Sequence, residues 1–234
     1  MSSDAETPLG SHGTYRAKLV RRQESARILN PRSSLAIRGE FNSGKRAMNF
    51  RRVFYSGLSM RSLLALLESD DSVISYQEAP PELRWSDGRR FRMCRPVASA
   101  RLRDRRLICI LMERRRGRLS SDEVLTVREV ACGHGYDDLE VWSEADIYTG
   151  GQVPNAMLLG NVGLFEFEPA HLHTVRTALE RSGGRSTIRD LRISSRLGTN
   201  AFRTIVKLIA LGEIVPLRPN AILDDFAIVQ IPKR

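Results

Sequence analysis

The sequence predicts a mixed α/β domain followed by a small winged helix–turn–helix, and three observations carry that prediction. Between residues 50 and 145 the hydrophobic period switches repeatedly between that of a helix and that of a strand. Beyond residue 168 it settles into three short helical stretches broken by glycines and followed by two short strands. Hydrophobic residues make up 41% of the chain, enough for a real core, and with aromatics at 6% that core falls to Leu, Ile, Val and Ala.

Residues 1–30 are polar and basic with no apolar period, the pattern of a flexible arm. Residues 31–50 read as loop, with Pro31, Gly39 and Gly44. Leu58 to Glu68 predicts a helix, its face broadened by Leu63, Leu64, Leu66 and Leu67. Val73 to Tyr76 reads as a strand. Leu83–Trp85 and Phe91–Met93 read as a hairpin about Ser86-Asp87-Gly88. A second pair, Ser99–Leu102 and Leu107–Met112, turns at Asp104-Arg105. Its return strand is apolar throughout, which predicts a central strand covered on both faces. Ser120 and Glu123 form a capping box for a helix whose face continues through Val124, Val127 and Val130. Leu139–Trp142 predicts one more strand, closing a domain over residues 31–147. Residues 148–168 contain Gly150, Gly151, Pro154, Gly160 and Gly163 and read as a linker.

In the last unit, residues 169–234, Leu172, Val175 and Leu179 mark a first helix that ends at Gly183-Gly184. Ser186 or Thr187 caps a second, with Ile188 and Leu191 inward. Gly198 turns the chain, and Thr199 is the expected cap of a third. That helix places Phe202, Ile205 and Ile209 on one face and Asn200, Arg203 and Lys207 on the other, until Gly212 stops it. Ile214–Leu217, a turn at Arg218-Pro219-Asn220, and Phe226–Ile231 make the hairpin. In such an arrangement the third helix enters the major groove with Asn200, Arg203 and Lys207 outward. Arg189, Arg192 and Arg196 are placed for phosphates, and Arg218 at the hairpin tip for a neighbouring groove or backbone.

Charge points to the same class of partner. The net charge is +10, the pI is near 10.2, and nearly all the excess is arginine, since only Lys18, Lys45, Lys207 and Lys233 are lysines. Such a balance favours a polyanion, with double-stranded DNA the expected partner. No basic amphipathic helix or apolar run of about 18 residues suggests a membrane, and no secretory signal is visible. The expected location is the cytoplasm, in association with the nucleoid. Cys94, Cys109 and Cys132 give neither a disulfide framework nor zinc spacing, and Cys132 with His134 is only two ligands. No metal or other cofactor is expected.

Over residues 37–147 the sequence resembles the TnsA-like endonucleases of heteromeric transposases. The resemblance runs through Gly39-Glu40-Phe41 with Ser43 and Lys45, Leu63 to Glu68, Asp71, Val73, Tyr76-Gln77, Pro96, Arg101 to Asp104, Arg106 to Ile110 and Val141 to Ile147. It implies a restriction-endonuclease-like fold in which acids on a helix and two strands hold magnesium and a lysine positions water. At those positions this chain carries Met60, Val97, Leu111 and Glu113, and Met, Val and Leu offer no hard oxygen ligand. A two-residue slip would instead use Asp104, Glu113 and Arg115. Arg114, Arg115, Arg116 and Arg118 follow the central strand and are candidate phosphate contacts in place of a metal site. The expectation is a catalytically degenerate nuclease fold that binds DNA as a regulator or recruitment subunit, with a possible protein partner in a transposase or regulatory complex. The alternatives are an active or partner-activated endonuclease subunit and a transcription regulator.

Overall fold

A computed structural model describes residues 37–86, 90–113, 119–163 and 165–232, and within them the chain is a mixed α/β protein. The expected arm over 1–30, the tip residues Asp87 and Gly88, and Arg114, Arg115, Arg116 and Arg118 lie outside the described residues.

Four strands form the central sheet in the order β3 (Val73–Glu78), β6 (Ala98–Leu102), β7 (Leu107–Met112), β8 (Asp138–Trp142). The first two pairs are antiparallel, and β7 runs parallel to β8. A parallel pair needs a crossover, which α2 (Ser121–Gly133) supplies. The all-apolar β7 sits inside the sheet because both of its faces are covered. Ile108 and Ile110 join a core with Leu63, Leu64 and Leu67 of α1 (Leu58–Ser69), while Cys109 and Leu111 join another with Val127 and Ala131 of α2. Burial pushes the Cys109 thiol up to about 12. The capping box forms as predicted: the Glu123 amide donates to Ser120 Oγ at 3.2 Å, and the Ser120 amide donates to Glu123 Oε2 at 3.0 Å.

Residues 38–56, read partly as loop, form two paired strands, β1 (Arg38–Asn42) and β2 (Arg52–Ser56), with Arg38 opposite Ser56 and Asn42 opposite Arg52. These five-residue runs give no strong period, and the pairing comes from the ladder and from Val53 buried beneath it. Several residues that carry the family resemblance meet at Glu68, whose carboxylate accepts from Ser43 Oγ (2.7 Å), Tyr76 Oη (2.6 Å) and the Gly44 amide (2.7 Å). Burial and the adjacent carboxylate push the Tyr76 phenol far above its ordinary range, so it remains a donor. The remaining two-stranded element is β4 (Leu83–Ser86) with β5 (Phe91–Cys94).

The expected linker is instead largely helical. After a one-turn α3 (Glu144–Ile147), residues Gln152–Gly163 form α4. It packs against α1, with Val153 in the α1-side core, and places Leu158 and Leu159 against the C-terminal core. Pro154 lies in its first turn, where the missing amide has no intrahelical partner to lose. A helix buried on two sides has no one-sided period for the sequence to display.

The C-terminal elements run α5 (Pro169–Arg181), β9 (Arg185–Thr187), α6 (Ile188–Ser195), α7 (Asn200–Ala210), β10 (Val215–Pro216) and β11 (Ile228–Gln230). The three strands pair in the order β10-β11-β9, all antiparallel. Val175, Leu179, Ile188, Leu191, Ile205, Leu208, Ile214 and Val229 form the core beneath them. Two expectations change here. The hairpin strands are shorter than the ranges 214–217 and 226–231, and β9 adds a third strand that its three polar residues did not announce.

Candidate nucleic-acid interface

Helix α6 separates its residues cleanly. Thr187 caps it by accepting the Asp190 amide at 3.0 Å, and Ile188 and Leu191 are fully buried. Arg189, Arg192 and Ile193, three and four residues apart, share the exposed face of the helix, and Arg196 follows it. Arg192 pairs with Asp225, which fastens the loop before β11 to this helix. The loop is held further by the Ile188 amide on Ala227 O and the Arg189 amide on Asp225 O, both at 2.9 Å. Arg196 closes the helix in the left-handed region, φ 54°, and its side chain is exposed.

Helix α7 was expected to bury one face and offer the other. Ala201, Thr204, Ile205, Val206 and Leu208 are all completely buried, and Phe202 and Ile209 are partly so, because α4 packs across it. What is left outward is a strip of Asn200, Arg203 and Lys207, and part of that strip is occupied. The Arg203 guanidinium lies 4.7 Å from the centroid of the Phe165 ring, and Lys207 Nζ lies 5.6 Å from that of Phe167. Both are within range of cation–π attraction. Glu166 and Glu168 are exposed beside those rings, so an aromatic and acidic segment lies along the expected reading face. The sequence signal for it is the alternation Phe165-Glu166-Phe167-Glu168 directly before a helix. The expected cap also fails to form: Thr199 makes no side-chain cap bond, and the chain enters α7 through Asn200 and Ala201 amides on Leu197 O and Gly198 O.

Arg218 is exposed, but the tip that carries it does not project freely. Asn220 O accepts the Gly151 amide at 2.7 Å, and Asn220 Oδ1 accepts Gln152 Nε2 at 3.1 Å. Asn155 Nδ2 donates to Ala221 O at 2.7 Å, and Asn155 Oδ1 accepts the Leu223 amide at 2.9 Å. The approach is close enough to require glycine: a Cβ on Gly151 would meet the Ile222 backbone nitrogen at 2.6 Å. The tip is therefore docked on α4 and its preceding turn, with the Arg218 side chain exposed.

The four positions that the resemblance aligns with catalytic groups are not gathered into one site. Met60 is buried in α1, and Val97 packs against the same α1-side core. Leu111 belongs to the core on the opposite face of the sheet, against α2. Glu113 follows β7, its amide donating to Trp142 O at 2.9 Å. Three apolar side chains divided between two faces of a sheet do not fit a magnesium ion, which needs convergent oxygen ligands. The slipped alternative fares no better. Asp104 pairs with Arg106 at the exposed β6–β7 turn, whereas Glu113 lies beyond the other end of β7. A six-residue strand between them keeps them roughly 20 Å apart at about 3.3 Å per residue. Among the described residues no three His, Cys, Asp or Glu side chains cluster as metal ligands, and His134 Nδ1 contacts Val130 O of its own helix at 2.8 Å.

Among the described residues no helix is long and apolar enough to cross a membrane. No protein-family model matches the chain, and no curated protein matches it.

Proposed function

We propose that this protein binds double-stranded DNA through its C-terminal unit, a winged helix. The observation that carries the proposal is the element order α5-β9-α6-α7-β10-β11 with the sheet order β10-β11-β9, joined to exposed Arg189, Arg192 and Arg203 on α6 and α7 and Arg196 between them. Over residues 169–234 the sequence holds eleven Lys and Arg against five Asp and Glu, the electrostatic footprint of a nucleic-acid surface. The exposed α6 arginines supply sequence-independent phosphate contacts, and α7 supplies base reading through Asn200 and Arg203.

The α/β unit reads as a degenerate TnsA-like nuclease fold with a structural rather than a cutting role. A mixed sheet with a helix on either face, and the meeting of Ser43, Tyr76 and Glu68, support that reading. The apolar side chains at Met60, Val97 and Leu111 argue against metal-dependent cleavage. The protein then acts as a regulator or recruitment subunit beside a partner.

Titration of the full chain with genomic duplex fragments across a salt series tests the binding. The expected result is affinity that falls linearly with log salt, and absence of binding at low salt overturns the proposal. Supercoiled plasmid with magnesium or manganese tests the second part. Cutting that vanishes in Glu113→Ala would restore the nuclease.

A further inference from the structure

We infer that the β4–β5 ribbon is a second DNA contact, seated in a groove of the duplex with Phe91 and Met93 against bases and arginines against phosphates. The inference rests on the DNA-binding reading above and adds a surface to it. Alternation along the ribbon sorts its side chains into two sets. Leu83, Trp85 and Cys94 turn inward onto the core beside α2. Arg84, Ser86, Phe91 and Met93 turn outward, and the register sets Met93 directly across from Arg84 and Phe91 across from Ser86. Phe91 is 90% exposed and Met93 56%. A phenyl ring and a thioether on one outward face leave apolar surface in water, which contact with a partner would bury.

The charge around the pair selects the partner. From Glu82 to Arg95 the sequence carries five arginines against Glu82 and Asp87. The Glu82 carboxylate is shared between Arg84 and Arg95, so one negative charge meets two positive ones and an excess remains on this face. Arg92 is nearer Glu123 at the start of α2. A second copy of the chain would bring two arginine-rich ribbons together, which repulsion opposes. Duplex DNA offers both complements at once, phosphates for the guanidiniums and stacked bases for the apolar pair. The major groove admits a two-stranded ribbon, and Phe and Met are among the side chains that wedge between base steps in the minor groove.

The test uses the full chain, a duplex and a single strand of the same sequence, titrated at several salt concentrations. End-to-end fluorescence transfer on the duplex reports bending. Phe91→Ala with Met93→Ala should weaken duplex binding by about tenfold, the scale of a lost base contact, straighten the bound duplex, and leave the salt slope unchanged. Arg84→Gln should instead make the slope shallower by about 0.9, one phosphate contact. All these side chains are exposed, and an unchanged melting transition verifies the fold. If both variants bind duplex as the parent does while Arg189→Gln with Arg196→Gln does not, the ribbon proposal is overturned and the DNA reading stands. Loss confined to the single strand also overturns it. If the parent chain binds no duplex at low salt, both readings fall together.

Discussion

Arg189 and Arg192 are exposed on α6 and Arg196 just beyond it, with Arg192 tied to Asp225; on α7 Arg203 and Lys207 lie against the rings of Phe165 and Phe167. Both helices belong to one core and both carry cations at helical spacing. They differ in what covers them, and so in what each must give up to meet a phosphate. A charge in water exchanges its hydration and some counterions. A charge on an aromatic ring must also leave that ring, at a cost of about 0.5–1 kcal/mol for an exposed cation–π contact. On the proposed DNA-binding reading, this difference would make α6 the face that meets DNA first and α7 the face that follows once residues 165–168 yield.

The sharpest way to break this ordering is to remove the charges of Arg189 and Arg196 while leaving Arg192 on Asp225. Replacing Arg189 and Arg196 together with glutamine should lower affinity at low salt by roughly a hundredfold and make the salt slope shallower by about 1.8, at about 0.9 for each phosphate contact. A larger loss from Arg203→Gln with Lys207→Gln would invert the comparison. Next in size is the support beneath both helices. Asn155→Ala removes the buried amide that holds residues 219–223 on α4 and should cost about 1–3 kcal/mol in denaturant unfolding. Amide exchange should rise at Leu223, whose amide loses its acceptor.

Removing the aromatic cover sharpens the comparison from the other side. Phe165→Ala with Phe167→Ala should raise duplex affinity about fivefold, the value of roughly 1 kcal/mol of ring contact no longer given up. A fall in affinity would make the rings part of the DNA contact. The smallest effect concerns Glu213 at the end of α7, whose carboxyl the Arg176 guanidinium of α5 holds below its usual range. A carboxyl with a lowered folded pKa adds stability above its unfolded pKa, and that stability is lost as pH falls through the folded value. Glu213→Gln should therefore cost less than about 1 kcal/mol at neutral pH, since the pair is partly solvated, and nothing once the wild-type carboxyl is protonated. Paired melts along a pH series measure it.

Elements with a distinct local signal, whether a helical face, an unbroken apolar run or a capping pair, were legible in the residues, and those without were not. The broad leucine face of α1, the apolar β7 and the Ser120–Glu123 capping box all fold where the sequence places them. Helix α4 was hidden because Val153 on one side and Leu158 and Leu159 on the other cancel any single face, and its glycines imitate a loop. The candidate site was legible as a set of charges: Arg189, Arg192, Arg196 and Arg203 are exposed as their spacing implies. Its cover was not, since nothing in Phe165 and Phe167 says which helix they will lie on. The ribbon shows the same gap. Phe91-Arg92-Met93-Cys94 alternates faithfully, but alternation alone does not say which parity faces the core.

Helix α4 lends side chains to both cores, and this sets an order of events during synthesis. The chain leaves the ribosome from its amino end, so α1 and the central sheet emerge before the helix that covers part of them. Until Val153 arrives, the apolar surface it will cover remains open, a period in which a nascent chain is prone to aggregate. The carboxyl-terminal core, in turn, closes over Leu158 and Leu159 only after Val229 has been made. Strand β11 thus completes a core whose earlier members include a helix that also packs on the amino-terminal unit.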